Sequence, residues 1–167
     1  ATAYQHDVTD YDTVPDLLRK VVADLGGLDL FVYVAGYIYF PQLTEYNFEQ
    51  DHTMVDVNLL GAMAWMSRVA EMFQSAKSGQ IVGISSVAGD RGRVGNPGYN
   101  ASKAGFTSYL ESLRNRLTRR GAHVLTDQHD GRVAIHLLGD AGGDGLAVRQ
   151  FRHAEPPSAQ TWVSSVS

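Results

Sequence analysis

Gln80-Ile81-Val82-Gly83-Ile84-Ser85-Ser86, continuing through Val87-Ala88-Gly89 to Tyr99-Asn100-Ala101-Ser102-Lys103, is the stretch on which the reading of this chain turns. Gln80 to Ile84 reads as a short buried strand that ends in two hydroxyls. A loop rich in Gly, Arg and Pro runs from Gly89 to Gly98. A helix then carries Phe106, Tyr109, Leu110, Leu113 and Leu117 at helical spacing. Gly121 ends it, and His123 to Thr126 begins a further strand. Upstream, a long helical stretch extends from Phe48 to about Phe73, with Leu59, Met63, Met66, Ala70 and Phe73 on one side. Asn58 and Gly61 interrupt its pattern and mark a bend. Before it, Leu28 to Val34 is a near-continuous apolar run, expected as a parallel strand covered on both faces. An earlier amphipathic helix places Val14, Leu17, Leu18, Val21, Val22 and Leu25 together, with Asp10 or Thr13 as cap and Gly26-Gly27 as terminator. Strand and helix alternate. The expected fold is therefore α/β: a partial Rossmann-like three-layer arrangement of a parallel sheet and flanking helices joined by right-handed crossovers.

The chain has 167 residues, enough for one domain with a core, and 44% of them are hydrophobic, which suits a globular protein. A net charge of -4 argues against a nucleic-acid partner, because phosphate recognition needs clustered Lys and Arg. Cys is absent, so disulfides and thiolate metal sites are excluded; this is compatible with the cytoplasm, the expected location, without establishing it. No apolar run is long enough to span a membrane. The N-terminus has neither the basic start nor the apolar core of a signal peptide, and no initiating Met, as expected of a processed or incomplete end. The His residues from His123 onward lack metal-ligand spacing, so no metal is expected. The Met residues read as helix packing.

Tyr99 and Lys103 are four residues apart on a helix and share a face. A phenol is a poor acid or base near neutrality, and a neighbouring ammonium favours the phenolate. Such a pair can exchange a proton with an alcohol or ketone oxygen. The spacing also occurs on ordinary helix surfaces, so the context decides. Ser86 lies at the carboxyl end of a strand, where ligands of open α/β sheets bind. It could orient a substrate carbonyl toward Tyr99, or simply cap a turn. Asn58, at the bend, could hold a water by its amide or by kinked backbone and position Lys103, or merely satisfy the bend locally.

Taken together, Asp7-Val8-Thr9, Ala35-Gly36, Val57-Asn58, Ile84-Ser85-Ser86-Val87-Ala88-Gly89 and Tyr99 through Lys103 resemble, in order and spacing, the central part of a classical short-chain dehydrogenase/reductase. The resemblance implies a catalytic tetrad of Asn58, Ser86, Tyr99 and Lys103, with Ser86 preferred to Ser85 because it directly precedes Val87-Ala88-Gly89. It implies NAD or NADP as cofactor, with Asp7, Val8, Ala35, Gly36, Tyr99 and Lys103 as binding residues. Asp7 would touch the adenine, with Val8 lining that pocket; its other reading is a helix-start cap. It implies a small organic alcohol or carbonyl substrate, no nucleic-acid or membrane partner, and a homo-oligomeric parent. Arg91 and Arg93 are read as solvated loop charges.

The sequence also departs from that family. Tyr33-Val34 stands where the family's Asn-Asn-Ala-Gly turn has its two Asn. The first strand, glycine-rich turn and first helix are missing, and with them the residues that separate NAD from NADP. Gly139 to Gly145 does not replace them. After Thr126, Asp127-Gln128-His129-Asp130-Gly131 replaces the expected Pro-Gly turn. The chain therefore divides into a catalytic part, 1–126, and a divergent or incorrectly translated tail, 127–167. Two alternatives to an oxidoreductase remain open: a noncatalytic scaffold or interaction fragment, and a nucleotide-sugar-modifying enzyme of related fold.

Overall fold

The computed structural model describes residues 2–129 and 160–162. The readings of Gly139 to Gly145 and of most of the tail lie outside the described residues. In chain order the elements are β1 (Gln5–Asp7), α1 (Val14–Leu25), β2 (Leu30–Tyr33), α2 (Phe48–Val55), a π-turn (Asp56–Leu60), α3 (Gly61–Ala76), β3 (Gln80–Ser86), α4 (Pro97–Leu117), β4 (His123–His129) and β5 (Gln160–Trp162). Strands β2, β3 and β4 form a parallel sheet in that order, with Phe31 opposite Ile81 and Ile81 opposite Val124. β5 pairs antiparallel with β1, Gln5 opposite Trp162.

This is the Rossmann-like α/β architecture. The described residues supply the sheet and a helical layer of the three-layer plan. Phe31, Ile81 and Val124 occupy one row of the sheet and are at most 7% exposed. They join Val14 and Leu18 of α1, Trp65, Val69 and Phe73 of α3, and Phe106 and Leu110 of α4 in one buried cluster. Trp65 stacks on Phe31 at 6.0 Å between ring centroids. Tyr33 meets Phe106 edge-on at 5.9 Å. Truncating one of these large aromatics would cost about 3–5 kcal/mol.

Three sequence expectations change. Leu28 to Val34 is not covered on both faces: the strand alternates, with Phe31 and Tyr33 buried and Leu30, Val32 and Val34 36%, 42% and 52% exposed. On the opposite face Leu125 is 40% exposed, while Val82, paired between Val32 and Leu125, is 6% exposed. The long helix is interrupted at Asp56–Leu60 by the π-turn, which adds a residue and rotates the helix beyond it. Leu59 and Met63 are therefore only half-buried, and Ala62, Trp65 and Val69 take core positions beside Met66, Ala70 and Phe73. Finally, neither Asp10 nor Thr13 caps α1 with its side chain. The Thr13 hydroxyl instead donates to the Asp10 carbonyl at 3.0 Å and lies 3.0 Å from His6 Nε2. Gly26 does terminate α1, with φ of 73° in the left-handed region that favours glycine.

β3 runs two residues beyond its expected end, to Ser86, and β4 runs through Thr126 to His129. The backbone ladder continues after the hydrophobic pattern has lapsed, pairing Ile84 with Asp127 and Ser86 with His129. Close contact between β3 and α4 depends on Gly83. A Cβ there would lie 2.5 Å from Leu110 Cδ1 and 2.9 Å from Phe106 Cζ. Gly83→Ala is accordingly expected to destabilise the fold by about 1–3 kcal/mol through overpacking, read as a lower midpoint in urea unfolding.

Candidate active site

The π-turn and the carboxyl ends of β2 and β3 converge on the first turns of α4. Asn96 starts that helix by accepting from Tyr99 N at 3.0 Å, and Pro97 follows at a position where a missing N–H does no harm. The same Asn96 donates its amide to the Tyr39 carbonyl, which ties the segment after β2 to the start of α4. Gly89 fixes the depth at which α4 sits. A Cβ there would meet the backbone of Lys103 and Ala104 at 2.8 Å.

The two serines of β3 separate. The Ser85 hydroxyl contacts Thr107 Oγ1 at 2.7 Å and donates to the Lys103 carbonyl at 3.3 Å, so it fastens strand to helix. Ser86 is 8% exposed and accepts from Ala88 N at 3.2 Å, and its hydroxyl favours the ionised form of the Tyr99 phenol. The ring of Tyr99 is half-buried. Lys103 lies one turn on, 5% exposed, with Nζ donating to the Ile84 carbonyl at 3.1 Å and standing 5.8 Å from the Tyr99 ring centroid.

Asn58 has no exposed surface. Its Oδ1 accepts from Tyr37 N at 2.6 Å, and its Nδ2 donates to the Tyr37 carbonyl at 2.9 Å and to Ser102 Oγ at 3.0 Å. Ser102 in turn donates to the Tyr99 carbonyl at 2.9 Å. A Cβ on Gly36 would lie 3.4 Å from Asn58 Oδ1 and 3.6 Å from Lys103 Nζ, so the turn after β2 passes directly over both groups. The structure thus brings Asn58, Ser86, Tyr99, Lys103, Ala35 and Gly36 into one region.

The other two expected binding residues behave differently. Asp7 is exposed, and its Oδ1 accepts from Thr9 N at 2.9 Å and Thr9 Oγ1 at 2.8 Å. It closes a local turn instead of capping α1. Val8 is wholly buried, its Cβ and carbonyl against Gly61, so its side chain lines no open surface. A β-branched residue at the end of β1 is consumed by the core.

The electrostatics also correct a simple expectation. Burial pushes the Tyr99 phenol above its ordinary value, and the Ser86 hydroxyl only partly offsets this. The Lys103 ammonium donates to the Ile84 carbonyl and stands over the Tyr99 ring, and burial is the larger influence on the phenol. Burial lowers Lys103 itself to about 8, since desolvation disfavours its charged form.

Sequence reading missed Ser102, Tyr37 and Tyr33. Ser102 is one turn from Tyr99 within the motif, and Tyr33 was visible as the departure from Asn; the Tyr37 contact is made by backbone and leaves no trace in residue type. An open cavity of about 320 Å³ between α4 and β4, lined by Thr107, Glu111, Arg114, Thr126 and Gln128, contains none of the expected site residues. Chemistry, rather than concavity, locates the site.

Tyr and Lys a helical turn apart beyond the carboxyl end of a strand ending in Ser stand where open α/β sheets bind their ligands. The family model described as short chain dehydrogenase matches residues 1–126. The chain belongs to the short-chain dehydrogenase family. It is 38% identical over 118 residues to an uncharacterized oxidoreductase of Myxococcus xanthus, covering 71% of this chain and 47% of that protein. It is 31% identical over 124 residues to a 3-oxoacyl-[acyl-carrier-protein] reductase of Synechocystis, covering 74% and 50%. Among solved structures, ElxO with NADP bound superposes with a TM-score of 0.70 at 28% identity, covering 74% of this chain and 50% of that one. NAD+-bound xylitol dehydrogenase gives 0.68 at 26% identity, covering 72% and 46%. The chain spans about half the length of the curated relatives it matches. Among the described residues, no helix is long and apolar enough to cross a membrane.

The buried ammonium predicts a pH dependence of stability. Its folded-state pKa, about 8, is below the ordinary 10.5, so between these values the unfolded chain binds the extra proton and stability rises with pH. The cost of burying the charge, on the order of 3 kcal/mol, is fully present below pH 8. Lys103→Met should be free of it. The stability of the unsubstituted chain relative to this variant is therefore expected to rise between pH 7 and 11, measured by urea unfolding at each pH.

Proposed function

We propose that this chain is the catalytic part of an NAD(P)-dependent oxidoreductase that interconverts a carbonyl and an alcohol in a small organic molecule by hydride transfer. The observation that carries this reading is the meeting of Ser86, Tyr99 and Lys103 beyond the strand ends, under the close-lying turn at Gly36. The names of relatives and the nicotinamide cofactors in the structures of ElxO and xylitol dehydrogenase support it.

The residues present suit a nicotinamide cofactor. The Lys103 ammonium is buried, has one carbonyl partner, and carries more donors than that partner uses. Gly36 allows a ligand to approach the backbone next to it. The bound cofactor supplies or accepts the hydride. Tyr99 protonates the substrate oxygen in reduction and takes the hydroxyl proton in oxidation. Ser86 orients that oxygen against the phenol. Lys103 donates to the ribose and, when its charge faces Tyr99, opposes the upward push of burial on the phenol. Both hydrogens of Asn58 Nδ2 are taken by Tyr37 and Ser102, so a relay water belongs on the π-turn backbone or on the second lone pair of Oδ1. Asp7 keeps the adenine-side role by its exposed carboxylate, and Val8 supports that turn from the core. The parent is proposed as a cytoplasmic homo-oligomer.

A second reading has its own observation. The partly exposed apolar side chains of Leu30, Val32, Val34 and Leu125 suit a noncatalytic interaction fragment. Calorimetric titration of the folded chain with NADH and NADPH separates the two. Saturable binding, weakened about tenfold or more in Lys103→Ala by loss of a charged hydrogen bond, is the expected outcome. Tyr99→Phe is then expected to retain binding while lowering turnover at least ~100-fold. A folded chain that binds neither nucleotide would assign activity to a longer parent and favour the fragment reading.

A further inference from the structure

Tyr33 stands where the resembled motif has Asn, and the structure shows what it does there. Its ring is 2% exposed and rests edge-on against Phe106. Its hydroxyl donates to the Val57 carbonyl at 3.1 Å. That carbonyl sits inside the π-turn. In a regular α-helix it would accept from the N–H of Gly61, but Gly61 N bonds to the Asp56 carbonyl, one residue further back. The Tyr33 hydroxyl supplies a donor to the carbonyl that lost this partner. Gly61 makes room for it: a Cβ there would lie 3.0 Å from the Tyr33 oxygen, 3.0 Å from the Val8 carbonyl oxygen and 3.1 Å from Val8 Cβ. A second phenol braces the same turn from the other side, with Tyr11 donating to the Asp56 carboxylate. Val57 is followed directly by Asn58, whose amide spans Tyr37 and Ser102.

We propose that Tyr33 is a positioning residue: its hydroxyl holds the Val57 carbonyl, keeps the helix in its π form, and thereby aims Asn58 at the turn after β2 and at the helix that carries Tyr99 and Lys103. The proposal rests on the reading of that cluster as the working site. It assigns the substitution of Tyr for Asn a compensating function, performed by a longer side chain reaching a different acceptor. Burial pushes the Tyr33 phenol well up, which keeps it a proton donor at working pH.

The test uses the whole chain, uniformly labelled with 15N, and follows hydrogen exchange at the Asn58 side-chain amide and at backbone amides by NMR. Tyr33→Phe keeps the ring and removes only the donor. The expected result is exchange at Asn58 Nδ2 about tenfold faster, the size expected for one buried hydrogen bond, with backbone exchange at Ile81 and Val124 unchanged. Unaltered Asn58 exchange would overturn the proposal. So would an equal acceleration at Ile81 and Val124, which would make Tyr33 a general core residue. If Tyr33→Phe does not fold, Gly61→Ala keeps the phenol and crowds it off Val57; the same local acceleration is expected, and its absence overturns the proposal. The readout needs neither cofactor nor turnover. Failure of the oxidoreductase reading would appear in the nucleotide titration and leave this result standing.

Discussion

The π-turn at Asp56–Leu60 is the constraint on which the site depends. An uninterrupted α-helix from Phe48 to Ala76 would rotate Asn58 relative to the core-facing positions of α3. The extra residue allows Met54 before the interruption, Val57 within it, and Ala62, Trp65 and Val69 beyond it to be buried while Asn58 points into the cluster with Tyr37 and Ser102. π-turns displace backbone hydrogen bonds and persist where the surroundings compensate. Here the compensation comes from two phenols, Tyr11 on Asp56 and Tyr33 on Val57. Both belong to segments remote in sequence, so the turn also joins the end of β1, the end of β2 and α4.

Around that joint, backbone proximity matters as much as side-chain chemistry. At Gly83 and Gly89 a Cβ would press on the helix that carries Tyr99 and Lys103, at Gly61 on Tyr33 and Val8, and at Gly36 it would touch Asn58 and Lys103. These glycines bring strand ends and helix close enough for Lys103 to reach the Ile84 carbonyl and for Ser85 to reach Thr107 and the Lys103 carbonyl. The same closeness has an electrostatic cost. Desolvation lowers Lys103 and raises Tyr99, so in this arrangement both groups are pushed toward their neutral forms. A cluster that disfavours charge is ready to gain from a polar ligand that restores hydrogen bonds to it.

Much of the architecture was legible because apolar periodicity survives in single sequences. The helix at Val14–Leu25, the strands at β2 and β3 and the helix bearing Tyr99 all follow from spacing, and Tyr99, Lys103, Ser86 and Asn58 were recognisable by motif order. Failures came where pairing or packing, not pattern, decides. The extension of β4 to His129 rests on backbone hydrogen bonds, which are blind to the polar residues there. The apolar run before Ala35 suggested cover on both faces, although hydrophobicity cannot say whether a covering layer is supplied by the described residues. The two readings of Asn58, amide or backbone as water holder, could not be told apart until the partners of the amide were known.

By itself the sequence determined the α/β class, the order of the elements and the residue types capable of proton transfer, because these depend on local periodicity and side-chain chemistry. Tertiary structure decided the orientations. It turned Lys103 to Ile84, closed the Asn58 amide onto Tyr37 and Ser102, buried Val8, and gave Tyr33 a carbonyl partner twenty-four residues away. Such outcomes depend on which backbone groups lose their helical partners and which side chains lie within reach, and distances of that kind exist only once the chain has folded.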